Sequence, residues 1–177
     1  MRVARQSRFI ADAMLGRLAR WLRLLGYDVA YQRDISDEKL ALRSWREKRV
    51  ILTRDNGFRA RTVNAIFIKS DQIWEQLHQV IRDCRLRPSA PRFYTRCSLC
   101  NGVLKKALKA SVRGLVPAYV YQEQKRFARC PRCKKVYWMG SHAALFDRRL
   151  LRLKNSALSL PPLLGYRPQA SIACGTF

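Results

Sequence analysis

Apolar and polar positions in the first half of the chain follow two alternating patterns. Four short segments have the continuous or alternating apolar pattern of strands: residues 8–11, 27–31, 49–55 and 65–68. Between and after them, apolar residues at three- and four-residue steps predict helices that end at Gly26, begin after Ser36 and cover residues 73–84. Strands that alternate with helices predict a small α/β fold, a three-layer sandwich with a mainly parallel sheet.

The first predicted helix has two different faces. Its apolar stripe, which we expect to be buried, consists of Met14, Leu15, Leu18, Leu22 and Leu25. A row of cations lies beside this stripe: Arg17, Arg20 and Arg23. Because the helix follows a strand that ends at Asp12, these arginines are candidates to guide a phosphate toward that carboxylate.

Carboxylates recur where the predicted strands end. Asp12, Asp55 and Asp71 each follow a strand, and either Asp37 or Glu38 opens a helix. In a parallel sheet these strand ends share one edge, and clustered carboxylates repel unless a hard cation such as Mg²⁺ or Mn²⁺ joins them. One or two such ions could activate water against a phosphodiester. Each acid taken singly also fits a capping or turn role.

Composition adds a strong positive charge. The chain has 36 Lys and Arg against 12 Asp and Glu, a net charge of +24. Residues 84–177 hold 19 of these cations and only two of the acids, so this half alone carries +17. Such a charge favours a polyanion, with nucleic acid as the first candidate, and a solvated basic face is the alternative. No run of about 18 apolar residues is present, so we expect no membrane-spanning segment.

Two Cys-x-x-Cys motifs lie in the second half of the chain. They contain Cys97 and Cys100 and, after 29 intervening residues, Cys130 and Cys133. Two such knuckles supply four thiolates to a tetrahedral Zn²⁺, which predicts a zinc ribbon. Paired disulfides or a redox site are the alternatives. Metal binding fits a reducing intracellular compartment, either cytoplasmic or organellar.

A zinc ribbon requires strands, and other possible metal ligands, among them two cysteines and a histidine, lie outside the two knuckles. Residues 116–121 and 136–138 have the pattern of ribbon strands. We expect Cys84 to be a small buried residue and Cys174 to be a thiol of the tail. Because four cysteines complete a zinc site, His142 is expected to be structural or to contact RNA.

Basic residues surround the two knuckles and alternate with Tyr, Phe and Trp. Phosphate contacts combined with aromatic stacking faces are what looped or single-stranded RNA needs. The candidate RNA-binding residues of this half are Lys105, Lys106, Lys109, Arg126, Arg129, Arg132, Lys134 and Lys135. Some of the aromatic residues should instead fill the small core beside the metal.

Changes in composition divide the chain into four parts. We expect an α/β domain over residues 1–85 and a proline-bearing linker over 86–95. A zinc-ribbon domain over 96–154 closes with a basic helix, and residues 155–177, which lack apolar periodicity, form an extended basic tail.

Four segments, in order, resemble the Mut-seven C-terminal RNase family. They are residues 12–28 (DAMLGRLARWLRLLGYD), 49–55 (RVILTRD), 96–101 (RCSLCN) and 130–142 (CPRCKKVYWMGSH). The resemblance extends over residues 8–150. That family is regarded as a PIN-like ribonuclease domain fused to a zinc ribbon, so the resemblance implies a PIN-like α/β sandwich followed by a four-cysteine zinc ribbon.

The resemblance also implies roles for the acids. Asp12, Asp55 and one of Asp37 or Glu38 would be the metal-binding carboxylates, with Asp71 as a fourth candidate. PIN-like relatives often carry another acid directly after the third position, where this chain has Asn56.

These features together predict an RNA-binding protein. Its α/β domain would hold a Mg²⁺- or Mn²⁺-dependent ribonuclease centre, and its zinc ribbon would grip RNA. The alternative is a non-catalytic rRNA-binding component of a ribosome or ribosome-assembly particle, with protein neighbours, that uses the same fold as a scaffold; the very high charge favours this alternative. A toxin-like nuclease is indicated by fold analogy alone.

Overall fold

The computed structural model describes residues 8–61 and 64–138. These residues divide into two compact units, with the boundary between Asn101 and Gly102. The predicted linker, residues 86–95, therefore lies within the first unit. The predicted basic helix at 147–154, the predicted tail at 155–177, His142 and Cys174 all lie outside the described residues.

The first unit alternates strands and helices. Its strands are β1 (Phe9–Ala11), β2 (Val29–Tyr31), β3 (Val50–Thr53) and β4 (Ala65–Phe67). Its helices are α1 (Gly16–Leu24), α2 (Asp37–Glu47), α3 (Asn56–Arg61) and α4 (Ile73–Asp83). A short 3₁₀ turn, Ala13–Leu15, precedes α1. The predicted α/β pattern is confirmed.

All four strands of this unit are parallel, in the order β2-β1-β3-β4. The chain moves from β1 to its neighbour β2 on one side and then crosses to β3 on the other side. The direction of winding therefore reverses between β1 and β3. In open α/β sheets, ligands bind beyond the carboxyl ends of the strands at such a switch point.

Helices cover both faces of the sheet, which gives three layers. On one face, α1 packs against α4, and Leu18, Leu22 and Leu77 are fully buried. On the other face, Leu40 of α2 and Phe58 of α3 pack on a cluster that contains Ile10, Ala30 and Ile51. The apolar stripe of α1 is as predicted apart from Met14, which is 70% exposed because it lies in the 3₁₀ turn before the regular helix begins.

The segment that was predicted to be a linker packs closely on the end of α1. The amide of Tyr94 donates to the carbonyl of Leu24 at 2.8 Å, and Phe93 is buried. Gly26, with φ of +85°, follows the helix, and a Cβ there would clash with the carbonyl oxygen of Arg92. Only glycine allows this turn and this close approach together.

Over residues 102–138, the second unit forms a small antiparallel sheet with two helical segments. Its strands are β5 (Lys105–Ala107), β6 (Phe127–Arg129) and β7 (Val136–Trp138), in that order in the sheet. Its regular helix is α5 (Ala118–Glu123), and a 3₁₀ turn covers Lys109–Val112. The core of this unit consists of Val112, Val116, Val120, Phe127 and Val136.

The prediction of a strand at residues 116–121 was wrong. Residues 118–123 form a helix, and Val112, Val116 and Val120 are buried at intervals of four residues, not at the two-residue intervals of a strand. Pro117 occupies the N-cap of α5, and its carbonyl accepts from the amide of Tyr121. The strand at residues 136–138 was predicted correctly.

None of the helices in the described ranges is both long and apolar enough to cross a bilayer.

Candidate functional site

The carboxyl ends of the parallel strands carry the four candidate acids. Asp12 follows β1 directly and Asp55 lies two residues after β3. Asp37 is the first residue of α2, which follows β2, and Asp71 lies beyond the end of β4. Asp12 and Asp55 therefore flank the switch point between β1 and β3.

Asp12 is buried and is held by backbone amides. Its Oδ1 accepts from the amides of Met14 at 2.9 Å and Leu15 at 3.1 Å, and its Oδ2 accepts from the amide of Arg54 at 2.8 Å. The side chain therefore caps the first helical turn and joins the ends of β1 and β3. A carboxylate has about four acceptor positions, so Asp12 has one left for a cation or a water molecule.

Asp55 is exposed, in contrast to Asp12. Its Oδ1 accepts from the amide of Gly57 at 2.7 Å and, more weakly, from that of Phe58 at 3.4 Å, so that it caps α3. Its own amide donates to Thr53 Oγ1 at 2.9 Å. These bonds fix the carboxylate at the edge of the sheet while its surface remains open to solvent.

The other two acids are also exposed, and the set is not closed into a cage. Asp71 Oδ1 accepts from Gln72 Nε2 at 3.4 Å, and Asp37 lies in the first turn of α2. Within residues 8–61 and 64–138, no acids form a group of three or more whose ligand atoms are close enough to share one ion. The structure thus aligns the acids along one edge without bringing them together.

Cations also lie at this edge, and sequence reasoning missed several of them. Arg17 and Arg20 are exposed on α1, as expected. The loops after β2, β3 and β4 add Arg33, Arg54 and Lys69, which stand next to or close to the acids in the chain. The signal was present in the sequence, since the segments that follow β2, β3 and β4 each contain a basic residue before the next helix.

Arg23 was placed in the same exposed row, and the structure corrects this prediction. Its side chain is only 2% exposed. The guanidinium donates to the carbonyl oxygens of Val29 at 2.9 Å, Ser98 at 2.9 Å and Leu99 at 2.7 Å. Burial lowers the pKa of Arg23, and the nearby Cys97 and Cys100 act in the opposite direction. The residue holds the first knuckle, and its guanidinium is buried in these bonds and not exposed as a phosphate contact requires.

Asn101 anchors the same knuckle from its other end. It adopts a left-handed conformation with φ of 67°, accepts from the amide of Val29 at 3.2 Å and donates to Asp28 Oδ1 at 2.7 Å. Asp28 also forms ion pairs with Arg49 at 2.6 Å and Arg96 at 3.5 Å. Burial by itself would raise the pKa of Asp28, but the hydrogen bonds from Arg49 and Asn101 outweigh it and keep that pKa below its ordinary value.

The four motif cysteines come together. The sulfur atoms of Cys97, Cys100, Cys130 and Cys133 all lie within 4.8 Å of one another. A tetrahedral zinc site with Zn–S bonds of about 2.3 Å has sulfur atoms about 3.8 Å apart, so the cluster has the dimensions of a four-thiolate site. The donor set and the distances both fit a structural metal such as zinc.

Local backbone geometry explains how the knuckles aim their sulfur atoms. The residues that follow the second cysteine of each motif, Asn101 and Lys134, are both left-handed, with φ of 67° and 64°. The carbonyls of Cys97 and Cys130 accept from the amides of these two residues at 3.0 Å each. A Cβ at Gly102 would lie 3.0 Å from Cys130 Sγ, so glycine leaves the room that the sulfur needs.

The candidate RNA-binding residues of the second unit differ in exposure. The exposed ones are Lys105, Lys106, Arg126, Arg132 and Lys134. The partly buried ones are Lys109, Arg129 and Lys135. Lys109 lies over the ring of Tyr121 at 5.1 Å, and Arg129 donates to the carbonyl of Lys134 at 3.1 Å, so these two also shape the fold.

Two further side chains are unrelated to either cluster. Cys84 is buried, as expected, and burial raises the pKa of its thiol to about 12. His78 is half-buried in α4, and burial lowers the pKa of its imidazole. Neither has the surroundings of a ligand or an acid-base group.

The chain combines a three-layer α/β domain, which has a parallel sheet, with a small antiparallel sheet and a four-cysteine cluster. This combination defines an α/β domain fused to a zinc-ribbon-like element. Residues 7–150 match the profile of a family described as "Mut7-C RNAse domain". Because this match covers most of the 177 residues, the chain belongs to that family. Comparison with curated proteins and with solved structures gives no match.

Proposed function

We propose that this protein binds RNA and cleaves it, with a divalent cation, at the carboxyl edge of the parallel sheet. The observation that carries this proposal is the position of Asp12 and Asp55 on the two sides of the switch point between β1 and β3. Membership of an RNase domain family supports the substrate class.

An open arrangement of acids is compatible with this chemistry. Mg²⁺ is commonly held by one or two carboxylates together with water and substrate phosphates, so a closed cage of acids is not required. Asp55 offers an exposed carboxylate and Asp12 one acceptor position, while Asp37 and Asp71 lie at the flanks. A bound Mg²⁺ or Mn²⁺ supplies an activated water and stabilises the leaving oxygen.

The exposed cations of both units supply phosphate contacts. Lys105 on β5 stands directly opposite Arg129 on β6. Like charges in facing positions destabilise a sheet, and a polyanion removes that repulsion. We propose that this part of the ribbon contacts the RNA backbone, together with Lys106, Arg126 and Arg132.

The test is cleavage of labelled single-stranded RNA with Mn²⁺ by the full chain. We expect the wild type to cleave and Asp55→Asn to fall to the background rate with its RNA affinity unchanged. Asp83→Asn is the matched control, because Asp83 is another exposed aspartate but lies at the end of α4. Wild-type protein that cuts no RNA in Mn²⁺ would overturn the proposal.

A second function is favoured by one observation, the engagement of Asp12 by three backbone amides. In that role the acids are caps and the protein is a non-catalytic rRNA-binding component of a ribosomal or assembly particle. It would then co-sediment with ribosomal particles and be released steeply as salt rises. Asp55→Asn would leave this association intact.

A further inference from the structure

The outer face of α2 carries an apolar pair that is exposed and that no packing among the described residues of the first unit explains. Trp45 is 79% exposed and Leu42 is 56% exposed. The opposite face of the helix, with Leu40 and Ser44, is buried against the sheet. The helix therefore already has its core face, and the tryptophan stands on the solvent side.

Helical spacing aligns Leu42 and Trp45 with Glu38, which lies at the start of α2 beside the candidate site. Glu38, Leu42 and Trp45 follow one another at steps of four and three residues, so their side chains form a single stripe along α2. The stripe begins in the first turn, beside Asp37, at the carboxyl edge of the sheet. From Glu38 to Trp45 the helix rises about 10 Å, at 1.5 Å per residue.

The charges beside the stripe favour a polyanion. Lys39 and Arg46 are exposed next to Leu42 on the helix surface. The one acid at the end of the helix, Glu47, is bound by the guanidinium groups of Arg43 and Arg49. It is therefore already paired and does not neutralise Lys39 or Arg46.

An exposed indole beside cations fits single-stranded RNA better than a protein partner. Aromatic side chains offer stacking faces to bases, and adjacent Lys or Arg contact the phosphates. The centres of protein–protein interfaces are instead depleted of lysine and need a larger apolar patch than two side chains on one helix.

We propose that Trp45 is a stacking platform for one base of the RNA, with Lys39 and Arg46 on the adjoining phosphates. The distance of about 10 Å to the first turn of α2 corresponds to about three stacked nucleotides at 3.4 Å each. The platform would thus hold the strand about three nucleotides from the acidic edge. This inference rests on the proposed function, because it takes that edge as the place where RNA is cleaved.

The test compares wild type, Trp45→Ala and Trp45→Phe as full chains, with labelled single-stranded and duplex RNA and no added divalent cation. We expect Trp45→Ala to weaken single-strand binding by about 5-fold to 150-fold, the range for loss of one stacked base. Trp45→Phe should restore most of the affinity, since it keeps an aromatic face. Duplex binding should be the same for all three, because the base faces of a duplex are covered.

A second measurement tests the spacing. RNA that carries a photoreactive base at one position at a time should cross-link to the peptide containing Trp45 about three nucleotides from the position cleaved in Mn²⁺. A cross-linked base far from the cleavage position would overturn the proposed path of the strand.

The outcomes separate this inference from the proposed function. Cleavage that depends on Asp55, with equal single-strand affinity of wild type and Trp45→Ala, overturns the platform and leaves the ribonuclease proposal standing. Weaker binding by Trp45→Ala without any cleavage supports the platform and overturns the ribonuclease proposal. Self-association of the wild type that Trp45→Ala abolishes, measured by sedimentation, would make this face a protein interface and would overturn the platform.

Discussion

The acidic edge of the sheet and the four-cysteine cluster both contain side chains of the types that bind metal ions, yet the fold arranges the two sets differently. The cysteine sulfur atoms meet within 4.8 Å. The carboxylates lie along one edge, and Asp12 uses three of its acceptor positions on backbone amides. The cysteine cluster is a closed site, while the acids form an open one.

The difference follows from how each set is built. Each knuckle places two sulfur atoms by its own local turn, which ends in a left-handed residue, Asn101 or Lys134. Each acid comes from a separate segment after a strand, so its position depends on the register of the whole sheet. Because carboxylates repel one another, they also accept hydrogen bonds from other groups, such as the amides at the start of a helix.

Loss of one knuckle thiolate should have the largest effect. We expect Cys97→Ser to reduce bound zinc from one ion per chain to near zero and to unfold the second unit, since zinc supplies most of the folding free energy of small Cys-ligated domains. Metal content and hydrogen exchange over β5 to β7 measure both effects. Cys84→Ala should keep the metal, and full zinc binding by Cys97→Ser would contradict the assignment.

Removal of the buried Arg23 guanidinium, which holds the first knuckle, should have the second-largest effect. Arg23→Met leaves three carbonyl oxygens without their donor, and we expect the free energy of unfolding to fall by roughly 2–5 kcal/mol. Arg20→Met, on the exposed side of the same helix, should cost about 0.5 kcal/mol or less. Urea unfolding compares the two, and equal midpoints would show that the contacts of Arg23 contribute little.

The two acids at the switch point should respond differently to the same substitution. Asp12→Asn turns one acceptor into an amide donor that faces the amide of Arg54 or of Met14, and we expect a loss of about 1–3 kcal/mol. Asp55→Asn keeps the oxygen that accepts from Gly57 and should change stability by about 0.5 kcal/mol or less. Thermal unfolding checks this difference. For this reason Asp55→Asn tests catalysis more cleanly than Asp12→Asn.

The smallest expected effect is on the pH dependence of stability, and it involves Asp28, which accepts a hydrogen bond from Asn101 of the first knuckle. The pKa of Asp28 is lower in the folded protein than its unfolded value of about 3.9. Its contribution is therefore present above about pH 4 and is lost as the pH falls through the lower folded pKa. We expect Asp28→Asn to flatten the dependence of stability on pH below about 4. A slope in Asp28→Asn equal to that of the wild type would contradict the prediction.

Much of the fold could be read from local patterns. Short apolar runs identified β1, β3 and β4, and helical spacing identified α1 and α4. Residues 116–121 were misread as a strand because Val and Tyr are typical of strands, whereas residues 118–123 form α5. Local propensity was overridden there by packing on Phe127 and Val136.

The residues of the candidate sites were predicted with different success, because some of them depend on local geometry and others on contacts between distant residues. The cysteines could be paired from spacing alone, since knuckle geometry is local. Arg23 looked like its neighbours Arg17 and Arg20, because nothing in the spacing of basic residues along the helix shows that Ser98 and Leu99 pack over one of them. Trp45 gave no signal in the sequence, since its exposure depends on which face of α2 meets the sheet.

The sequence by itself determined the class of elements, the pairing of the cysteines into two knuckles and the segments after the strands in which the acids lie, because these depend on residues close together in the chain. The tertiary structure alone decided that Asp12 is a cap between β1 and β3, that Arg23 is buried and that α2 presents Trp45 to solvent. Each of these depends on contacts between residues far apart in the chain, which local patterns do not encode.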